Sequence, residues 1–240
     1  MQAETRSSGL PVVFLSLGPG APDLLTVQAV RALKEADIVL LPATQGAEGQ
    51  TKSRAAAIVG EWCDEQRMET FYLPMQHERE AVLTVYERVY QRIMELQRQG
   101  LRVVVAVEGD VSIYASIHYV LERLQKNDVP VVQSPGIPSF IAAAASADLS
   151  LICQNQRLVV LPGDADIEVL RRLLTSQHVV VVMKLSQCQQ VLKDYLLQYP
   201  ATVCHYFENV GTPEEYHTSA CDEILSRQIP YFSLCVLYPA

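Results

Sequence analysis

The chain has 240 residues, of which 49% are hydrophobic and 19% charged, and its formal net charge is −8. This composition is typical of a folded globular protein, and the length allows one large domain or two small ones. An acidic chain lacks the basic surface that nucleic acid requires, so no nucleic-acid partner is expected.

The first half of the sequence alternates predicted strands and helices. Val12–Leu17 predicts a buried strand, which runs into the turn Gly18-Pro19-Gly20 and an amphipathic helix opened by Pro22. Further strands are predicted at Ile38–Leu41, Thr70–Leu73, Val103–Val107 and Val129–Gln133, and helices at Arg54–Trp62, Glu78–Gln99 and Ser112–Gln125. Such alternation predicts a mostly parallel sheet whose strand-to-helix loops share one edge.

Pro42 is expected to end the second strand, and Thr44–Thr51 to form a loop that closes over or binds a ligand.

The second half of the sequence predicts a different, mixed sheet. It begins with a small-residue helix at Ser139–Ala147. Strands are predicted at Leu158–Leu161, His178–Met183, Ala201–Phe207 and Tyr231–Leu237, and helices at Ile167–Thr175 and Gln187–Leu197. The segment Tyr216–Cys221 has no clear assignment. We therefore predict two α/β domains, residues 10–135 and 136–240.

Three glycine-containing turns follow three of the predicted parallel strands. Gly18-Pro19-Gly20 lacks the third glycine of a dinucleotide motif and the Lys-Ser or Lys-Thr pair of a phosphate loop. The other turns are Glu108-Gly109-Asp110 and Ser134–Ser139. Turns at one sheet edge converge more readily on a single small-molecule site than on three separate ones.

Polar residues in and near these turns are candidates for structural or binding roles. Asp110 can cap the helix that follows, or can orient a ligand that approaches the backbone at Gly109, and both can hold together. Ser139 is expected to be the N-cap of its helix. The basic pair Lys52 and Arg54 is either solvated or binds substrate carboxylates.

The remaining reactive side chains indicate no metal centre. The six cysteines are scattered without a C-x-x-C pair, and no histidine lies at ligand spacing from another histidine or cysteine. Reduced thiols, a polar N-terminus without the features of a signal peptide and the lack of a long apolar run predict a cytoplasmic protein with no membrane association.

The ordered motifs resemble those of the tetrapyrrole methylases, which are S-adenosylmethionine (SAM)-dependent enzymes. The resemblance covers roughly residues 11 to 237. The matching segments, in chain order, are Gly18–Thr26, Ala36–Val39, Glu108–Tyr114, Pro135–Phe140, Val180–Lys184 and Glu208–Glu215. The stretch from Glu108 to Leu124 is similar to the branch of the family that methylates precorrin-2, rather than to the diphthine synthase or ribosomal-RNA methylase branches.

This resemblance implies two α/β domains with SAM bound in the cleft between them, a tetrapyrrole substrate and a homodimer. The residues that it assigns to SAM binding are Pro19, Gly20, Gly109, Asp110, Ile113, Tyr114, Pro138, Ser139, Met183, Val210, Gly211 and Thr212. Val111 stands where the family usually has proline, which removes a restriction on φ and affects the shape of that loop.

A tetrapyrrole meso carbon is an enamine-like nucleophile, so methyl transfer from a sulfonium needs mainly alignment and the exclusion of water. We take Glu108, Tyr114 and His118 as candidates for handling the proton. The alternatives are another enzyme of the family, such as diphthine synthase, and a SAM-binding regulator without catalysis. A nicotinamide oxidoreductase fits the glycine pattern poorly.

Overall fold

A computed structural model describes residues 9–45, 51–74 and 79–239 of the chain. Contacts between Cα atoms divide the chain into two compact units, the first ending at Ile137 and the second beginning at Pro138. The boundary predicted from the sequence lies between residues 135 and 136. Among the described residues, none of the helices combines the length and the apolar character needed to cross a bilayer.

The first unit contains a six-stranded sheet. Its strands are β1 Val12–Ser16, β2 Ile38–Gln45, β3 Thr51–Lys52, β4 Met68–Leu73, β5 Val103–Val107 and β6 Val131–Ser134, and its helices are α1 Val27–Glu35, α2 Arg54–Val59, α3 Arg79–Arg98 and α4 His118–Lys126. The strand order is β3-β2-β5-β1-β6, and β4 pairs with β2. Every pairing is parallel except that of β2 with β3, which confirms the mostly parallel sheet.

The apolar pattern of the central strands explains why this sheet is covered on both faces. The side chains of β5 alternate between two hydrophobic clusters, with Val103 and Val105 in one and Val104 and Ala106 in the other. A strand buried on both faces needs a continuous apolar run, as β5 has. Thr26 caps α1 through the amide of Ala29, at 3.1 Å, and so fixes where that helix begins after β1.

The prediction that Pro42 ends the second strand is wrong. β2 continues through Pro42 to Gln45. Its register pairs with β5 stop at Leu40, and the Pro42 carbonyl accepts a hydrogen bond of 2.7 Å from Ser53 Oγ. Proline is tolerated because the pairing with β5 has ended there, while the parallel pairing with β4 continues with Pro42 in register with Phe71. β2 therefore includes Thr44 and Gln45 of the predicted loop. Residues 46–50 of that loop lie outside the described residues.

The second unit contains the predicted mixed sheet. Its strands are β7 Arg157–Leu161, β8 His178–Met183, β9 Val203–Glu208, β10 Tyr216–Thr218 and β11 Ser233–Tyr238, and its helices are α5 Ser139–Ser146, α6 Ile167–Thr175, α7 Gln189–Gln198 and α8 Cys221–Ser226. The strand order is β10-β9-β11-β8-β7, and only the pairing of β7 with β8 is parallel among the described strands of this sheet. The sequence pattern did not predict β10 or α8, which are short and polar.

Candidate functional site

Three strand-to-helix turns of the first unit meet at one edge of its sheet. The parallel register places Ser16 of β1 beside Val107 of β5, and Leu15 of β1 beside Ser134 of β6. The turn after each strand therefore leaves the sheet at the same level. Open α/β sheets bind their ligands at this edge.

The first two turns are joined through their backbones. Gly109 N–H donates to the Gly18 carbonyl at 2.7 Å, and Gly18 N–H donates to the Gly109 carbonyl at 3.1 Å. Both glycines have a positive φ, 72° and 75°, which L residues adopt at a cost. A Cβ at Gly109 would have no heavy atom within 4 Å, so the space beside this backbone is open in the first unit.

Gly136 brings the third turn into close contact with the other two. A Cβ at this position would lie 2.5 Å from Ser16 Cβ and 3.1 Å from the Gly109 carbonyl oxygen. The approach of the third turn therefore requires a residue without a side chain.

We expect Gly136→Ala to destabilise the protein by about 3 kcal/mol, because the added methyl group must push two strands apart. The matched control is Gly109→Ala, where the cost is that of a positive φ alone, roughly 1–2 kcal/mol. Urea unfolding of both variants measures the difference. Equal losses of stability would show that the close packing at Gly136 is not the larger constraint.

The buried carboxylate of Asp110 links these turns through hydrogen bonds. Oδ2 accepts from Gly136 N–H at 2.7 Å and from Ser16 Oγ at 3.5 Å. Oδ1 accepts from the Ser112 amide at 2.8 Å and from Ser112 Oγ at 2.5 Å. Burial opposes ionisation, but these hydrogen bonds hold the pKa of Asp110 below its ordinary value. The carboxylate thus accepts from two backbone amides and two side-chain hydroxyls of the protein itself.

Two predicted helix caps are wrong. The helix after Asp110 begins at His118 rather than at Ser112, so Asp110 closes a local turn through Ser112 instead of capping α4. Pro138, not Ser139, is the N-cap of α5, and Ser139 is the first residue of that helix. Pro138 has the extended backbone that an N-cap needs, with φ at −62° and ψ at 146°, and the φ that proline fixes is compatible with it.

Val111 donates a hydrogen bond from its backbone N–H, a group that proline at this position would lack. Its side chain is buried, and its N–H donates to Ser16 Oγ at 2.9 Å. The departure from the family pattern at this position therefore adds a hydrogen bond between two of the turns. Ile113 follows in the same loop, where its amide donates to the Asp110 carbonyl at 3.1 Å.

Glu108 and Arg54 form an ion pair beside this edge. Arg54 Nε lies 3.6 Å from Glu108 Oε2, and Arg54 Nη2 donates to the Pro19 carbonyl at 3.5 Å. Burial raises the pKa of Glu108, and the charge of Arg54 opposes that rise. Arg54 is thereby linked to two turns.

Two other predicted site residues lie nearby in the sequence. Lys52 lies in β3, and its side chain is outside the described part of the structure. Gly20 follows Pro19 and is half-buried.

The other two candidates for proton transfer are more exposed. Tyr114 has a left-handed backbone, with φ at 52°, and its side chain is 40% exposed. His118 begins α4, and its Nδ1 donates to the Ala115 carbonyl at 2.9 Å, which leaves Nε2 as the acceptor of a neutral ring. In the described part of the chain, no three His, Cys, Asp or Glu side chains are placed to share a metal ion.

The second unit brings Met183 and the predicted loop Val210–Thr212 to one edge of its own sheet. Both β8 and β9 run antiparallel to β11, so Met183 at the end of β8 and the loop Val210–Thr212 after β9 lie at the same edge. Gly211 N–H donates to Glu215 Oε2 at 2.6 Å, and Thr212 Oγ1 donates to the Asn209 carbonyl at 2.8 Å. These bonds fix the loop that follows β9.

An ion pair between buried Glu208 and half-buried Arg227, which was not predicted from the sequence, lies at the end of β9. Glu208 accepts hydrogen bonds from the hydroxyl of Tyr206, at 2.6 Å, and from the guanidinium of Arg227. Burial opposes ionisation of Glu208, yet these bonds keep its pKa below the ordinary value. No motif signals this pair, because Arg227 lies far along the chain and meets Glu208 through the fold.

Residues 11–221 match the sequence profile of the tetrapyrrole (corrin/porphyrin) methylases. The match covers most of the chain, so the protein belongs to this family of methylases. Its sequence is 30% identical to a cobalt-precorrin-2 C(20)-methyltransferase of Salmonella typhimurium, over 91% of this chain and 92% of the relative. It is 28% identical to a precorrin-2 C(20)-methyltransferase of Sinorhizobium, over 95% and 94% of the two chains.

The fold is also that of solved structures in this family. A uroporphyrin-III C-methyltransferase from Thermus thermophilus, solved in complex with S-adenosylhomocysteine (SAH), superposes with a TM-score of 0.67. The alignment covers 95% of this chain and 97% of the other, at 21% identity. The predicted α/β fold class, with one mostly parallel sheet and one mixed sheet, is thereby confirmed.

Proposed function

We propose that the protein is a SAM-dependent methyltransferase that transfers a methyl group to C-20 of precorrin-2 or cobalt-precorrin-2. The observation that carries the proposal is the open space beside the Gly109 backbone, at the edge where the three turns meet, in a chain that belongs to a family of methylases. Relatives named for each of the two substrates are almost equally similar to this chain, so both substrates are retained.

The residues at this edge fit a donor that carries no phosphate. The turn at Gly18 has no lysine or serine to hold phosphate oxygens, and the nearest charged pair is Glu108 with Arg54. The open space beside Gly109 leaves room for a ligand to approach the main chain. In this proposal Pro19, Gly20, Gly109, Ile113 and Tyr114 line the donor, and Asp110 shapes the turn that does so.

Other contacts to the donor come from the second unit. Pro138 and Ser139 would contact its methionine or ribose part, and Met183 with Val210, Gly211 and Thr212 would contact its adenine. The bound donor supplies a methyl group on a positively charged sulfur. Lys52 and Arg54 remain candidates for binding carboxylates of the tetrapyrrole.

Methylation at a meso carbon forms a bond between that carbon and the methyl group, breaks the bond from sulfur to methyl, and then releases the proton of the meso carbon. Alignment and the exclusion of water favour the first event. We assign the proton to Glu108, because burial raises the pKa of this carboxyl toward the range in which it exchanges protons efficiently. Tyr114 and His118 are the alternatives.

The test is anaerobic incubation of the purified protein with SAM and either metal-free or cobalt-loaded precorrin-2, followed by mass spectrometry. We expect a product heavier by one CH₂ group with at least one of the two tetrapyrroles, together with SAH. Binding of SAM without turnover of either tetrapyrrole would instead indicate a regulator. Methylation of elongation factor alone would indicate a diphthine synthase.

We further propose that the protein is a cytoplasmic homodimer that takes a small-molecule substrate, as the family resemblance implies. Sedimentation at several protein concentrations measures the association state. A single species with the mass of one chain over the whole range would contradict the dimer.

A further inference from the structure

Two adjacent aromatic side chains are exposed just before β11. Tyr231 is 49% exposed and Phe232 is 37% exposed. Their rings meet edge to face, with centroids 5.0 Å apart and an interplanar angle of 88°. Paired aromatic rings that remain accessible in a folded protein are typical of binding sites.

The position of β11 places this aromatic pair at the edge of the second sheet where β8 and β9 end. β11 lies between β8 and β9 and runs antiparallel to both, so it begins where they end. Its second residue, Leu234, is in register with Met183 on one side and with Phe207 on the other. The segment before β11 is therefore flanked by the ends of both neighbouring strands.

Hydrogen bonds hold the aromatic pair in place. Asn209, whose φ is 48°, donates its N–H to the Phe232 carbonyl at 2.9 Å, which ties the pair to the start of the loop that follows β9. Ser233 Oγ donates to the Pro230 carbonyl at 2.6 Å, and Ser233 N–H donates to the Tyr231 carbonyl at 3.0 Å. A segment fixed in this way presents its rings with little further loss of entropy on binding.

We infer that Tyr231 and Phe232 form a stacking wall for the adenine of the methyl donor, an inference that rests on the proposed function. A neutral, planar heterocycle is the part of the two substrates that an aromatic pair favours. On the β9 side, the loop that Asn209 joins to the pair also carries the carboxylate of Glu215, which disfavours a polycarboxylated tetrapyrrole. Arg227 is already paired with Glu208.

The experiment measures SAH and 5′-methylthioadenosine binding by calorimetry for Tyr231→Ala and Phe232→Ala. Loss of a stacking ring is expected to weaken binding about 5- to 150-fold. Both probes should lose affinity by the same factor, because they share the adenosine. The conservative variants Tyr231→Phe and Phe232→Tyr keep a ring and should bind within about twofold of the wild type. Leu197→Ala removes an exposed apolar side chain elsewhere on the second unit and is the control.

Failure of the proposed function and failure of this inference give different results. If wild-type protein does not bind SAH, the proposed function fails first. If wild-type protein binds SAH and the alanine variants bind it equally well, the stacking wall is wrong. A raised KM for the tetrapyrrole with unchanged SAH affinity also overturns it, because the rings would then contact the other substrate. Unfolding curves, with the conservative variants beside them, separate lost contacts from misfolding.

Discussion

Glu108→Gln is expected to lower kcat for methyl transfer by about 10²- to 10⁴-fold, the usual contribution of a general base. Glutamine keeps the size of the side chain but cannot accept the proton that the meso carbon releases. Affinity for SAH should remain within about twofold of the wild type, since Glu108 is assigned to the proton and not to the donor. Single-turnover assays and calorimetry measure the two quantities separately.

The controls for Glu108 are other carboxylates and the two alternative proton acceptors. Glu122→Gln removes an exposed carboxylate of α4 and should leave kcat unchanged. Tyr114→Phe and His118→Gln should each have a smaller effect than Glu108→Gln. Full activity of Glu108→Gln, with a large loss in either of the other variants, would transfer the role to that residue.

The pH profile gives an independent test of the same assignment. The base must be ionised, so kcat/KM should fall as the pH drops through the pKa of Glu108, which burial raises above the ordinary value of 4.5. The charge of Arg54 opposes that rise, so Arg54→Gln should move the acidic limb to higher pH. An acidic limb that does not move in Arg54→Gln would show that another group controls it.

The sequence alone predicted the strands and turns that are specified by residues adjacent in the chain. Val103–Val107 is apolar and β-branched throughout, which predicts a strand buried on both faces, and the glycine turns at Gly18 and Gly109 follow strands as expected. The error at Pro42 comes from a long-range contact. The strand continues beyond Pro42 in register with β4, and no pattern around Pro42 indicates that partner.

The same distinction applies to the site. The turns could be recognised from the sequence, because glycine and proline at these positions are typical of turns that need a special backbone conformation. The partners of Asp110 could not, because Ser16 at the end of β1 and Gly136 in the turn after β6 are distant from it along the chain. Tyr231 and Phe232 looked like the start of an ordinary strand, and their importance depends on β11 lying between β8 and β9.

Asp110→Ala is expected to destabilise the protein by roughly 3 kcal/mol and to weaken SAH binding at least tenfold. Removing the carboxylate leaves the amide of Gly136 and the hydroxyl of Ser16 without their buried acceptor, and such groups cost about 1–3 kcal/mol each. The third turn then loses this hydrogen bond to the second, while the first two turns stay joined through Gly18 and Gly109. Ser112→Ala is the control, because it removes one donor and keeps the carboxylate in place.

The charge of Asp110 makes this contribution dependent on pH. Its pKa in the folded protein lies below the ordinary value of 3.8, so its stabilising effect is complete above about pH 4 and is lost as the pH falls through the lower, folded value. Asp110→Asn has no charge to lose there. Urea midpoints measured from pH 7 downward should therefore converge for wild type and Asp110→Asn in acid. A gap between them that stays constant below pH 4 would mean that the ionised carboxylate does not hold the turns together.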